Sequence, residues 1–122
     1  MKDHQVIIGT RRDATCAPEL AATVARVFTG HGFEVHKDVS GYTGGNIVAT
    51  CGQPRTCRVH AIQLEINASL LMTTTVDEFI AQVRRGEIPE KADANIARIR
   101  ACLREALAAL PPVLATVHED GT

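Results

Sequence analysis

The amino-terminal third of the chain carries the feature that most limits what it can fold into. "QVIIG" (Gln5–Gly9) is a short β-branched run closed by glycine and reads as a buried strand. The polar stretch "TRRDATCA" follows. Pro18 then opens a helix at a position where its missing N–H costs nothing. Leu20, Val24, Val27 and Phe28 recur at helical spacing, and Gly30 and Gly32 mark the end. "FEVHKD" (Phe33–Asp38) reads as a second strand. Strand, helix and strand on so short a path imply a parallel pair joined by a right-handed crossover. Strands apolar on both faces, flanked by helices, argue for a layered α/β domain.

The rest of the chain adds to that unit. "SGYTGGN" is a glycine-rich loop without the spacing or the lysine of a P-loop. "IVAT" (Ile47–Thr50) reads as a third short strand, and "CGQPRTC" as a second loop. Residues 68–72 suit one turn of helix. Thr75 with Glu78 three places on is a capping-box pattern and predicts a helix over 76–85. A longer helix is predicted from 91 to 110, with Ile96, Ile99, Leu103, Leu107 and Leu110 on one face and Pro111-Pro112 as its stop. The reading is a single domain over 1–122, with 113–122 as a frayed tail. Aromatic side chains are few (Phe28, Phe33, Tyr42 and Phe79), so the core must come from Val, Ile, Leu and Ala.

"RVHAIQLEIN" (Arg58–Asn67) is the most informative segment. Alternation puts His60, Ile62, Leu64 and Ile66 on one face and Ala61, Gln63 and Glu65 on the other. Both faces are largely apolar, which predicts a central strand. Ligands of open α/β sheets bind outside the carboxyl ends of strands. If this strand runs parallel to "QVIIG", Glu65 and the "TRRD" loop share one sheet edge, and Glu65 is placed for proton transfer. An ion pair with a nearby arginine is the structural alternative.

Charge and length exclude other functions. A net charge of −1 gives no electrostatic footprint for nucleic acid or an anionic membrane. No segment approaches the length of a membrane span or a signal peptide, which leads to the expectation of a cytoplasmic protein with reduced thiols. Cys16, Cys51, Cys57 and Cys102 then read as free thiols or ligands. Cys51, Cys57 and His60 form C-x5-C-x2-H, a candidate zinc site of unusual spacing. "HGFE" (His31–Glu34) has the two-residue gap of some zinc sites, but it straddles a helix end and a strand.

Taken together, "GGNIVATCGQP", "VHAIQLEIN" and Met72 resemble the C-terminal half of the N-formylglutamate amidohydrolase family, whose pattern there runs Gly-Gly-aromatic-x-Thr-Arg-x-x-Gly-x-Pro and Val-His-Ala-Leu-Gln-Leu-Glu. "IIGTRRDATCAPEL" is similar to the family's Leu-Gly-Asp-Arg-x-Gly-Thr-Ser-Cys run, so the likeness spans about residues 5–110. The resemblance implies a layered α/β/α fold with a mostly parallel sheet, like part of a zinc carboxypeptidase. It also implies zinc-dependent hydrolysis of an N-formyl or N-acyl amino acid. By motif position Glu65 would be the proton shuttle and Arg11 would hold a substrate carboxylate. Gly44, Gly45, His60 and Gln63 fall on motif positions with supporting or substrate-contact roles.

The departures set further expectations. The family's metal ligands, two His and an acidic residue, precede the point where this chain begins. The chain is therefore expected to be a truncated form that binds no zinc alone, with a partner chain carrying the zinc half. The alternative is a non-catalytic remnant or binding domain. Val48-Ala49 replaces the family's Thr-Arg pair, and Thr10 and Asp13 stand where the family has Asp and Gly. Arg55 or Arg58 would have to compensate for the lost arginine. A shortened sheet with an open edge predicts a homo-oligomer.

Overall fold

The computed structural model describes residues 3–119. Three strands, β1 (Val6–Gly9), β2 (Val35–Lys37) and β3 (Gln63–Ile66), form one sheet in the order β2-β1-β3. Four helices accompany it: α1 (Pro18–Gly30), α2 (Asn46–Cys51), α3 (Val76–Arg84) and α4 (Asp93–Glu119). A 3-10 turn at Ala68–Leu70 follows β3. None of the described helices is long and apolar enough to cross a membrane.

The opening unit forms as its sequence predicts. β1 pairs in parallel with β2, Val6 opposite Val35 and Ile8 opposite Lys37, across the α1 crossover. Pro18 takes the first turn of α1 beside Glu19, whose charge suits the positive end of the helix. The far end closes as a Schellman motif. Gly32 sits at φ 87°, its N–H donates to the Thr29 carbonyl, and the Phe33 N–H reaches back to Phe28. The rings of Phe28 and Phe33 then meet at 6.0 Å, the apolar contact that this cap favours.

One face of the sheet holds the core. Val6 and Ile8 of β1, with Leu64 and Ile66 of β3, pack against Val24 and Phe28 of α1 and against Ile99, Cys102 and Ala106 of α4. The predicted leucine stripe of α4 is therefore displaced. Cys102 and Ala106 face α1, whereas Leu103 is 39% and Leu107 68% exposed. Small side chains let two helices approach closely, and the leucines are left at the edge of the contact.

Five other expectations are corrected. "IVAT" lies in helix α2, entered from Gly45 and closed by Gly52, so a short β-branched run between glycines was ambiguous. α4 runs through Pro111-Pro112, so residues 113–119 are helical; 120–122 lie outside the described residues. Leu110 packs on the core and Leu114 lines a cavity with Leu20 and Ile62, contacts that offset the backbone bonds the prolines remove. β3 is shorter than predicted and is an edge strand, not a central one. It also runs antiparallel to β1, with Gly9 opposite Gln63 and Ile7 opposite Glu65. The sheet is thus mixed, one parallel pair and one antiparallel pair, where a mostly parallel sheet was expected. The capping pattern at Thr75 is half realised: its hydroxyl accepts the Glu78 N–H, while the Glu78 carboxylate takes a bond from Arg85.

Candidate functional site

The second face of the sheet is organised by polar bonds. Gly9, Gln63 and Glu65 share it by register. The loop after β2 crosses over Gly9 so closely that a Cβ there would lie 2.8 Å from the Thr43 carbonyl carbon. Only glycine allows that approach. The Arg11 N–H donates to the Thr43 carbonyl at 2.7 Å, and its guanidinium Nη1 donates to the Gly44 carbonyl at 3.2 Å. Gly44 has φ 132°, a conformation that side chains avoid. The Gly45 N–H donates to Gln63 Oε1 at 2.7 Å, and Gln63 Nε2 donates to Glu65 Oε1 at 2.9 Å. Among the described residues the other Glu65 oxygen accepts no hydrogen bond.

Arg11, Gly44, Gly45, Gln63 and Glu65 therefore form one connected cluster. The route differs from the one the sequence suggested. Antiparallel pairing puts the start of β3, not its end, beside the end of β1. Gln63 spans the two-residue step to Glu65, so the carboxylate joins the cluster through an amide.

The turn that carries Arg11 is strained. Arg11, Arg12 and Asp13 have φ of 47°, 57° and 66°, left-handed values that cost roughly 1–3 kcal/mol per non-glycine residue. Asp38, the residue after β2, braces it. Its Oδ1 accepts the Thr10 N–H at 2.7 Å, and its Oδ2 accepts the Thr10 hydroxyl at 2.7 Å and the Arg12 N–H at 3.2 Å. Lys37 pairs with Asp13 beside it. Sequence reasoning marked Thr10 only as a departure from the family pattern and gave Asp38 no role. The signal was present, since parallel strands joined by a crossover end side by side, and a polar residue follows each.

His60 is not in this cluster. Its Nδ1 accepts the Ala17 N–H at 3.0 Å, at the mouth of α1, so its ring proton sits on Nε2, 2.9 Å from Nε2 of His118. Burial, and then the neighbouring His118, lower its pKa below the usual 6.5. It lines a cavity of about 260 Å³ with Cys16, Leu20, Arg58 and Ile62. Burial pushes the Cys16 thiol up to about 11, which keeps it protonated and inert. Arg58 belongs to this cavity, so it does not stand in for the missing arginine of the first cluster.

The candidate zinc site does not assemble. Cys51 and Cys57 are exposed thiols, and both ring nitrogens of His60 are engaged elsewhere. His31 and Glu34 part company as well: His31 meets Glu105 at 2.6 Å, and Glu34 meets His36 at 2.5 Å. Among the described residues no three His, Cys, Asp or Glu side chains lie together in a way that could hold a metal ion. Glu65 is bonded to the side-chain amide of Gln63, which is not a zinc donor. These residues do not fit a zinc ion.

Comparison with known proteins agrees with the resemblance in the motifs. The family model described as N-formylglutamate amidohydrolase matches residues 1–72. No curated protein matches the chain. Among solved structures, the crystal structure of N-formylglutamate amidohydrolase from Ralstonia eutropha JMP134 superposes with a TM-score of 0.65 at 23% identity. The likeness covers 97% of this chain and 35% of that one, so this chain spans about a third of that protein's length. At this identity the likeness is one of fold, and it takes in α3 and α4, which lie beyond the family match.

Proposed function

The chain belongs to the N-formylglutamate amidohydrolase family, and from that premise we propose that it carries the substrate side of an amidohydrolase site. The observation that carries the reading is the unbroken series from Arg11 through Gly44, Gly45 and Gln63 to Glu65. A guanidinium has five N–H donors, and among the described residues Arg11 engages only Nη1, at Gly44. The others are free to take the carboxylate of an N-formyl or N-acyl amino acid as a planar fork. Glu65 accepts the proton of the attacking water and returns it to the leaving nitrogen as the amide C–N bond breaks, releasing a carboxylic acid and a free amino acid. Gln63 fixes the Glu65 carboxylate for that transfer. Gly44 and Gly45 keep the loop low enough for substrate to lie over it.

Zinc would belong to this reading only through donors on polypeptide outside this sequence, in a fold of the zinc-carboxypeptidase kind. The outer edge of β3 is unpaired among the described strands and is where that polypeptide, or a second copy of this chain, would add to the sheet. A second reading is a binding domain that holds the carboxylate without hydrolysis. It is favoured by the scatter of the described His, Cys, Asp and Glu side chains, no three of which lie together as metal donors.

Formate release from N-formyl-L-glutamate separates the readings. It is measured with the purified chain alone and again with any polypeptide that co-purifies with it. We expect no turnover from the chain alone, turnover from the assembly, and loss of turnover by Glu65→Gln with the assembly intact. Turnover with stoichiometric zinc from the chain alone overturns the shared-site reading. An assembly that binds the substrate and never releases formate supports the binding domain.

A further inference from the structure

Thr10 to Asp13 form a left-handed turn that contains no glycine. An arginine at positive φ gains no compensating bond from its own side chain, so the turn needs support from its neighbours. Each of its backbone amides is nevertheless satisfied. Asp38 accepts those of Thr10 and Arg12, the Thr10 hydroxyl accepts that of Asp13 at 3.0 Å, and Thr43 accepts that of Arg11. The Thr10 hydroxyl can accept because it donates its own proton to Asp38 Oδ2. Two side chains, one of them fully buried Thr10, thus satisfy three of the four amides of the turn. Asp38 is itself left-handed at φ 51° and makes no hydrogen bond to the Arg11 guanidinium. Its effect on Arg11 passes through the backbone.

We infer that Asp38, acting with the Thr10 hydroxyl, is the positioning residue that aims Arg11 across the loop at Gly44. The inference deepens the reading of Arg11 as the carboxylate-binding cation and rests on it. The chemistry asks for a carboxylate here. Three donors converge on two acceptor oxygens, and an asparagine would turn an NH2 group towards at least one of them.

The test uses the full chain, labelled with nitrogen-15, as wild type, Asp38→Asn, Thr10→Val and Thr10→Ser. Backbone couplings report φ at residues 11–13, the Arg11 side-chain resonance reports its bond to Gly44, and titration with N-formyl-L-glutamate reports binding. In Asp38→Asn we expect unchanged resonances for Val6–Ile8 and α1, loss of the left-handed couplings, an Arg11 resonance moved to that of a free arginine, and binding weakened at least tenfold. Thr10→Val should reproduce these changes, and Thr10→Ser should restore wild-type behaviour. Wild-type couplings and a wild-type Arg11 resonance in folded Asp38→Asn overturn the inference. If that variant fails to fold, the same outcome in Thr10→Val overturns it. Collapse of the turn in a chain whose wild type ignores N-formyl-L-glutamate upholds the positioning role and sinks the substrate reading instead.

Discussion

Val6 and Ile8 leave β1 on one side of the sheet, Ile7 and Gly9 on the other. The first side meets α1 and α4 and is filled by aliphatic contact around Phe28. The second meets a loop and is held by bonds in series, from Arg11 to Gly44 and from Gly45 through Gln63 to Glu65. The strands are the same; the forces differ. Apolar contact is non-directional, so the first face tolerates small shifts and contributes most of the stability. Hydrogen bonds are directional, so the second face contributes geometry and tolerates little.

Three experiments probe that contrast. The largest effect is expected at the packed face. Phe28 is fully buried, and Phe28→Ala should cost about 3–5 kcal/mol in urea unfolding. A loss below about 1 kcal/mol would mean that the helices do not set the stability of the sheet. Next comes the bonded face. Gly9→Ala adds one methyl, 2.8 Å from the Thr43 carbonyl carbon, where backbone has to move. About 1–3 kcal/mol should be lost. Exchange of the Gly45 amide proton should also quicken as its bond to Gln63 lengthens. Unchanged exchange would break the claim that loop height controls the cluster.

The smallest effect is expected away from both faces, at His60. Its folded pKa lies below the unfolded 6.5, so the unfolded chain binds a proton more readily. The contribution of His60 is complete above about pH 6.5 and is lost as pH falls through the lower folded value. Melting temperature should therefore drop between pH 8 and pH 5 more steeply in wild type than in His60→Gln. Equal slopes would show that burial and His118 do not lower the His60 pKa in the folded chain.

What could be read from the chain follows the range of the forces involved. β1, α1 and β2 were legible because their signals are local: a β-branched run, a proline at the start of a helix, glycine at its end. Glu65, Gln63, Arg11, Gly44 and Gly45 were legible as candidates because their residue types and motif positions are written in the sequence, and the structure brings them into one cluster. His60 stands on the same motif, and alternation already put it on the opposite face from Gln63 and Glu65. It faces away because its neighbours Ile62 and Leu64 turn to the core, and its own nitrogens are taken by Ala17 and His118.

The sequence by itself determined which segments are helix or strand wherever caps and periodicity spoke clearly, and it supplied the acid, the amide and the guanidinium. Tertiary structure alone decided that β3 runs antiparallel at the edge, that Cys102 and Ala106 rather than Leu103 and Leu107 face α1, and that α4 continues past its prolines. It also decided that three residues without glycine adopt a left-handed turn. The reason is the same each time. Strand direction, helix contact and backbone strain are settled by partners distant in sequence, as when Asp38 meets Thr10 from 28 residues away, and no local pattern records them.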